Sequence, residues 1–90
     1  MEIPCSDLLD GTKAVASAGV PERLVASSTF TRAVVVGALL ANTGTVYVGD
    51  ATPAAELDAG DVIILPIDDP YKLYVDAAVD GEGVWYTLLS

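Results

Sequence analysis

The chain reads as all-β, a small β-sandwich or jelly-roll-like barrel with a short N-terminal arm, and three observations predict this. The run Ala33-Val-Val-Val-Gly-Ala-Leu-Leu-Ala-Asn-Thr-Gly-Thr-Val-Tyr-Val-Gly-Asp50 holds two apolar, valine-rich stretches on either side of Asn42-Thr43-Gly44, and such residues prefer extended backbone. Short apolar stretches recur along the chain at turn spacings of about 8 to 12 residues, the rhythm of a sandwich or barrel. No apolar run approaches the roughly 18 residues that a membrane helix needs.

Ninety residues make one β-domain, with 1–11 as the arm and 12–90 as the sandwich. Met1 to Gly11 mixes Pro4, acidic residues and Leu8-Leu9, which suits an arm better than a strand. Lys13 to Ala18 reads as a short strand ended by Gly19 and Pro21, and Arg23 to Ser27 as another between turn formers. After the Ser27-Ser28-Thr29 spacer comes a strong strand, Arg32 to Leu40. Asn42-Thr43-Gly44 tolerates positive φ and is expected to reverse the chain as a hairpin into Thr45 to Gly49. Asp50 to Gly60 is expected to be a loop, ending in the turn Leu57-Asp-Ala-Gly-Asp61 that feeds Val62-Ile-Ile-Leu65. That strand is apolar on both faces, which places it in the middle of a sandwich or under a neighbouring subunit, while Pro66 marks its end or an edge position. Asp68-Asp69-Pro70 is a turn. Tyr71 to Ala77 alternates, with Leu73 and Val75 on one face and Tyr74 and Asp76 on the other. Asp80-Gly81-Glu82-Gly83 is expected to close a hairpin into Val84 to Leu89, whose Val84, Tyr86 and Leu88 share one face and Trp85, Thr87 and Leu89 the opposite one.

Composition bounds the function. The residues are 52% hydrophobic with a mean hydropathy of +0.50, more apolar side chain than a lone domain of this size buries easily, since such a chain hides only about 60 to 65% of its unfolded surface. Oligomerisation is a common remedy. The net charge is −9, and the four basic residues, Lys13, Arg23, Arg32 and Lys72, are scattered. Nucleic-acid affinity rests on neutralising phosphates with clustered Lys and Arg, so nucleic acid is not an expected partner. The N-terminus has neither a basic segment nor a long apolar one, so a signal peptide is not expected; nor is a membrane partner, and the chain is read as soluble and made in a cytoplasm.

Catalysis is not expected. The chain has no histidine and one cysteine, Cys5, so a nucleophile with a histidine base cannot be assembled, and an intrachain disulfide or a zinc site lacks its ligands. Thirteen acidic residues make accidental carboxylate pairs inevitable, which empties that signal of meaning for glycoside hydrolysis. Asp68, Asp69, Asp76, Asp80 and Glu82 are hard-oxygen donors in the C-terminal loops, but their spacing does not match an EF-hand loop. No metal or other cofactor is expected. Four aromatics, Tyr47, Tyr74, Trp85 and Tyr86, lie on strands and are the candidates for a partner interface, because aromatic side chains anchor interfaces well and so small a sandwich has room inside for only some of them.

Gly60-Asp-Val-Ile-Ile-Leu-Pro66 resembles the turn-and-strand segment of cupin domains. Those enzymes hold their metal mainly through histidines, so the likeness implies jelly-roll geometry and none of the chemistry. A broader resemblance runs from about Arg32 to Leu88. The block Asn42 to Asp50, the Gly60-Asp61 turn, the Asp68-Asp69 pair, the strand Leu73 to Asp76 and Gly81-Glu82-Gly83 are together similar, in order and spacing, to small virion proteins of tailed bacteriophages. The loop Ala51 to Glu56 departs from that pattern, being Ala-rich where such proteins carry a polar segment. The resemblance implies a capsid decoration or cement protein, a homotrimer on the outer capsid surface of the virion, made in the host cytoplasm and stabilising contacts between major capsid proteins. A tail or head-tail adaptor component remains an alternative, as does a carbohydrate- or cell-binding β-module using Trp85 and Tyr86 as a stacking platform.

Overall fold

The computed structural model describes residues 9–89. Among these lie eight strands: β1 (Leu9–Ala14), β2 (Glu22–Arg23), β3 (Ala33–Ala38), β4 (Val46–Gly49), β5 (Ala55–Leu57), β6 (Val62–Leu65), β7 (Tyr74–Ala77) and β8 (Gly83–Leu89). They form two four-stranded sheets, ordered β1-β8-β3-β6 and β2-β7-β4-β5, packed as the expected sandwich. The pairing narrows the architecture. β1 pairs with β8, β2 with β7, β3 with β6 and β4 with β5, all antiparallel. The first half of the chain therefore lies against the second half, and this double ribbon is wrapped into two sheets, which is the jelly-roll winding.

That winding overturns both expected hairpins. β3 and β4 lie in different sheets, as do β7 and β8, so Asn42-Thr43-Gly44 and Asp80-Gly81-Glu82-Gly83 bridge the layers instead of joining paired strands. The hydrogen bonds give the reason. The Asn42 side-chain amide donates to the Gly83 carbonyl at 2.8 Å and accepts from the Gly83 N–H at 3.3 Å. The Glu82 carboxylate accepts from the Thr43 N–H, the Thr43 hydroxyl and the Gly44 N–H at 2.7, 2.9 and 2.9 Å. The two connections are thus tied to each other. Gly44 does not take the positive φ expected of it, whereas Gly81 does, at 82°.

The one connection within a sheet joins β4 to β5, inside the segment expected to be a loop. Leu57 pairs with Val46 and Ala55 with Val48, and Leu57 is buried. Asp50 makes the turn by accepting the Thr52 N–H at 2.9 Å. β1 is a second correction: it starts at Leu9, so the last part of the expected arm is strand, and the expected strand Lys13 to Ala18 keeps only its first two residues in it. The rest of the arm and Cys5 lie outside the described residues. The signal was hidden because Gly11 stands opposite Tyr86, whose ring occupies the place of a side chain there; a Cβ on Gly11 would lie 2.7 Å from the phenol oxygen. β2 is shorter than expected, and a 3-10 turn, Pro70–Lys72, capped by the Asp69 carboxylate on the Tyr71 N–H, precedes β7.

Among the described residues, seven of the thirteen buried hydrophobics are valines: Val15, Val34, Val36, Val46, Val48, Val75 and Val84. Their two-residue spacing in β3 and β4 sends alternate residues inward, as the pleat requires. Leu73 and Val75 face the core as expected, with Ala77, Val84 and Leu88. β6 does not lie in the middle. It is an edge strand, with Val62 52% and Ile64 65% exposed, because its inward pair Ile63 and Leu65 alone meets the core.

Among the described glycines, Gly83 permits the closest backbone approach. A Cβ there would lie 1.9 Å from the Lys13 carbonyl oxygen and 2.8 Å from Ala14 Cα, so Gly83→Ala must push β1 off β8. Urea denaturation should show a loss of at least about 1–3 kcal/mol, the usual cost of overpacking. Val36→Ala, which empties a fully buried position, should cost about 2 kcal/mol by the same measurement.

Candidate interaction surface

The acidic residues of the loops act first as latches. Asp76 accepts the Gly19 and Ala77 N–H groups at 2.9 and 2.8 Å, Asp80 the Ala18 N–H at 2.7 Å, and Asp69 the Ser28 hydroxyl at 2.5 Å and the Thr29 and Tyr71 N–H groups at 3.3 and 3.0 Å. Glu82 holds Thr43 and Gly44 as described. Asp68 instead meets Lys72 at 2.9 Å. Each carboxylate points at its own loop partner, and among the described residues no group of three or more His, Cys, Asp or Glu is placed to hold a metal ion.

The sandwich is open between β1 and β2. Lys13 and Glu22 bridge this gap at 2.8 Å, and the other Glu22 oxygen accepts the Ala16 N–H at 2.7 Å. A shallow cleft of about 430 Å³ lies beside the bridge, lined also by Arg23, Leu24, Tyr71 and Tyr86. Arg23 is held there by the Tyr71 carbonyl and by two aromatic faces, 3.8 Å from the Tyr71 centroid and 4.8 Å from that of Tyr74, a cation–π arrangement.

Register assigns the two outer faces. On the β2-β7-β4-β5 sheet, Tyr47 stands opposite Glu56 and Asp76, and Tyr74 opposite Arg23, so that face is charged. On the other sheet, Val35 stands opposite Thr87 and Ile64, Gly37 opposite Trp85 and Val62, and Ala33 opposite Leu89. No outward residue of β8, β3 or β6 is charged. Trp85 lies flat across Gly37: a Cβ on Gly37 would fall 2.2 Å from its Cε2. Asp10 of β1, opposite Thr87, bounds the patch on one side; across β8, β3 and β6, in a chain of net charge −9, the face is uncharged and largely apolar.

The four aromatics therefore do not form one surface. Tyr47 and Tyr74 share the charged outer face, Trp85 belongs to the apolar one, and Tyr86 turns inward, half-buried against the core beside Val36. Trp85 and Tyr86 are adjacent in a strand, point to opposite faces and cannot form a common stacking platform. The aliphatic residues Val35, Val62, Ile64 and Leu89 complete the apolar face and were missed by a choice based on aromatics. Their signal was the four-residue apolar run of β6. No protein-family model, curated protein or solved structure matches the chain.

Two measurements probe these arrangements. Gly37→Ala should lift the indole off β3 and shift the emission of Trp85, the sole tryptophan, to longer wavelength. Hydrogen bonds to the charged form hold Glu82 below the ordinary glutamate value of 4.5, chiefly from the Thr43 N–H; Glu22, through Lys13, is likewise held below 4.5, and Asp69, through Ser28, below 3.8. Depressed carboxyls contribute stability above their unfolded pKa values and lose it as pH falls through the folded ones. The thermal midpoint should hold from pH 7 to about 5 and fall below that, and Glu82→Gln should make the fall shallower.

Proposed function

We propose that this chain is a non-enzymatic structural protein of a tailed-phage virion, a decoration protein that docks on the outside of the head and braces contacts between major capsid proteins. The observation that carries the docking role is the uncharged, largely apolar outer face of β8, β3 and β6, which ends at Asp10 on β1. Burying a Val, Ile or Leu side chain contributes about 1.5–3 kcal/mol, so a handful of side chains on this face supply ample free energy for a protein partner. The resemblance in turn motifs supplies the virion setting. The acidic remainder of the surface suits a position outside a shell packed with nucleic acid, since it repels the polyanion. Stabilisation works by mass action: a subunit that binds only the assembled shell shifts the balance away from rupture.

A glycan-binding role is less well supported, because Trp85 and Tyr86 face opposite ways. A tail or head-tail adaptor role differs in copy number. Quantitative mass spectrometry of purified particles should find hundreds of copies per particle; a dozen or fewer moves the chain to the tail or portal, and none sinks the virion reading. Val35→Lys, which sets a charge between Thr87 and Ile64 in the middle of the apolar face, should abolish binding to purified expanded heads while leaving the circular dichroism spectrum unchanged.

A further inference from the structure

The two sheets have four edges, and three are guarded by charge. β1 carries Asp10 and Lys13 and is bridged to β2. β2 is two residues long, both charged, and β5 is three residues with Glu56 in its middle. Among the described residues, β6 alone is an uncharged run, Val62-Ile63-Ile64-Leu65, paired with β3 on one side only and guarded only by Pro66 after its last residue. Natural edge strands are usually kept short, charged or covered, because their unpaired N–H and C=O groups otherwise recruit another strand.

The surroundings of β6 continue its character. Six large hydrophobic residues are exposed among those described, and four of them lie on β6 or at its ends. Val62 and Ile64 are on the strand. Leu40, 84% exposed, sits at the N-terminal end, 3.3 Å from where a Cβ on Gly60 would stand. Phe30, 68% exposed, lies past the C-terminal end, where the neighbouring Thr31 bonds the Ile67 and Asp68 carbonyls.

We propose that β6 pairs antiparallel with β6 of a second copy of this chain about a two-fold axis, joining two four-stranded sheets into one of eight strands. The strand is complementary to itself in this arrangement. Outward residues must stay level with outward residues across the joint, so Val62 meets Ile64 of the second copy, or Ile64 meets its own equivalent. The antiparallel sense sets Leu40 of each copy toward Phe30 of the other. It also carries the Asp58 and Asp61 end of one copy to the end that holds the Asp68–Lys72 pair and Arg32, which has no ion pair among the described residues, where a parallel sense would set Asp61 against Asp61. Elsewhere two chains of charge −9 repel each other; here no strand residue is charged. Edge pairing leaves the apolar outer face open and doubles its width. The inference does not rest on the virion setting, and it gives the purified chain a two-fold dimer where the resemblance implies a homotrimer.

Sedimentation equilibrium on the purified chain from about 1 to 100 μM, the range of modest protein affinities, tests it. The wild type should be a dimer, Ile64→Lys should weaken self-association at least about tenfold with an unchanged circular dichroism spectrum, and Val79→Lys, at an exposed apolar site on the β7–β8 connection, should remain dimeric. Hydrogen exchange of the wild type should show protection of the β6 amides that rises with concentration. A monomer throughout the range, a trimer or other oligomer whose mass Ile64→Lys leaves unchanged, or β6 exchange indifferent to concentration overturns the pairing.

Discussion

Much of this fold converges on Gly83. Its carbonyl accepts the Leu39 N–H at 3.2 Å and the Asn42 amide at 2.8 Å, its N–H donates to Asn42, and its missing side chain lets the β1 backbone close on β8. Three chain segments meet there that are remote in sequence. With Glu82 beside it holding Thr43 and Gly44, the connection that crosses the sandwich after β3 is locked to the one that crosses before β8. The wrapped ribbon cannot open at this end without breaking both, and the alternation of β3 and β8 about the core follows from the register set there.

The distribution of polarity reconciles two facts that pull apart, a strongly acidic chain and a strongly apolar one. Most loop carboxylates are turned to backbone N–H groups, which need acceptors where strands end, so acidity serves connection. The apolar residues divide between a narrow valine core and one outer face. Valine suits a thin sandwich, being stiff and β-branched, but a core of valines cannot absorb every hydrophobic residue in the chain. The remainder is collected on one sheet and along one edge, while the opposite sheet presents Glu56, Asp76 and Arg23 to solvent.

The strands with strong local signals were legible. The valines of β3, the alternation of β7 and the facing of β8 agree with the structure because one face of each meets the core and the pattern records it. β5 was not legible, since a three-residue strand with a single buried leucine has no periodicity to read. β1 was concealed by Gly11, which is small because Tyr86 lies over it. The apolar face was half legible. The run Val62 to Leu65 announced unpaired hydrophobic surface, and Trp85 was singled out, but nothing local showed that Tyr47 and Tyr74 stand on the other side of the molecule.

By itself, the sequence determined the class of structure, the composition of the strands and the lack of any histidine, because these depend on residue identity and on periodicity within a few positions. It also marked where the chain turns. Which strands each turn connects was decided only by the tertiary structure. Asn42-Thr43-Gly44 has the composition of a hairpin turn and is instead an inter-sheet crossing, since its hydrogen-bonding groups find Glu82 and Gly83, some forty residues away. Edge or centre, charged face or apolar face, are likewise properties of pairing partners. A strand carries its own pattern of hydrophobicity, but its neighbours determine which of its faces and edges remain uncovered.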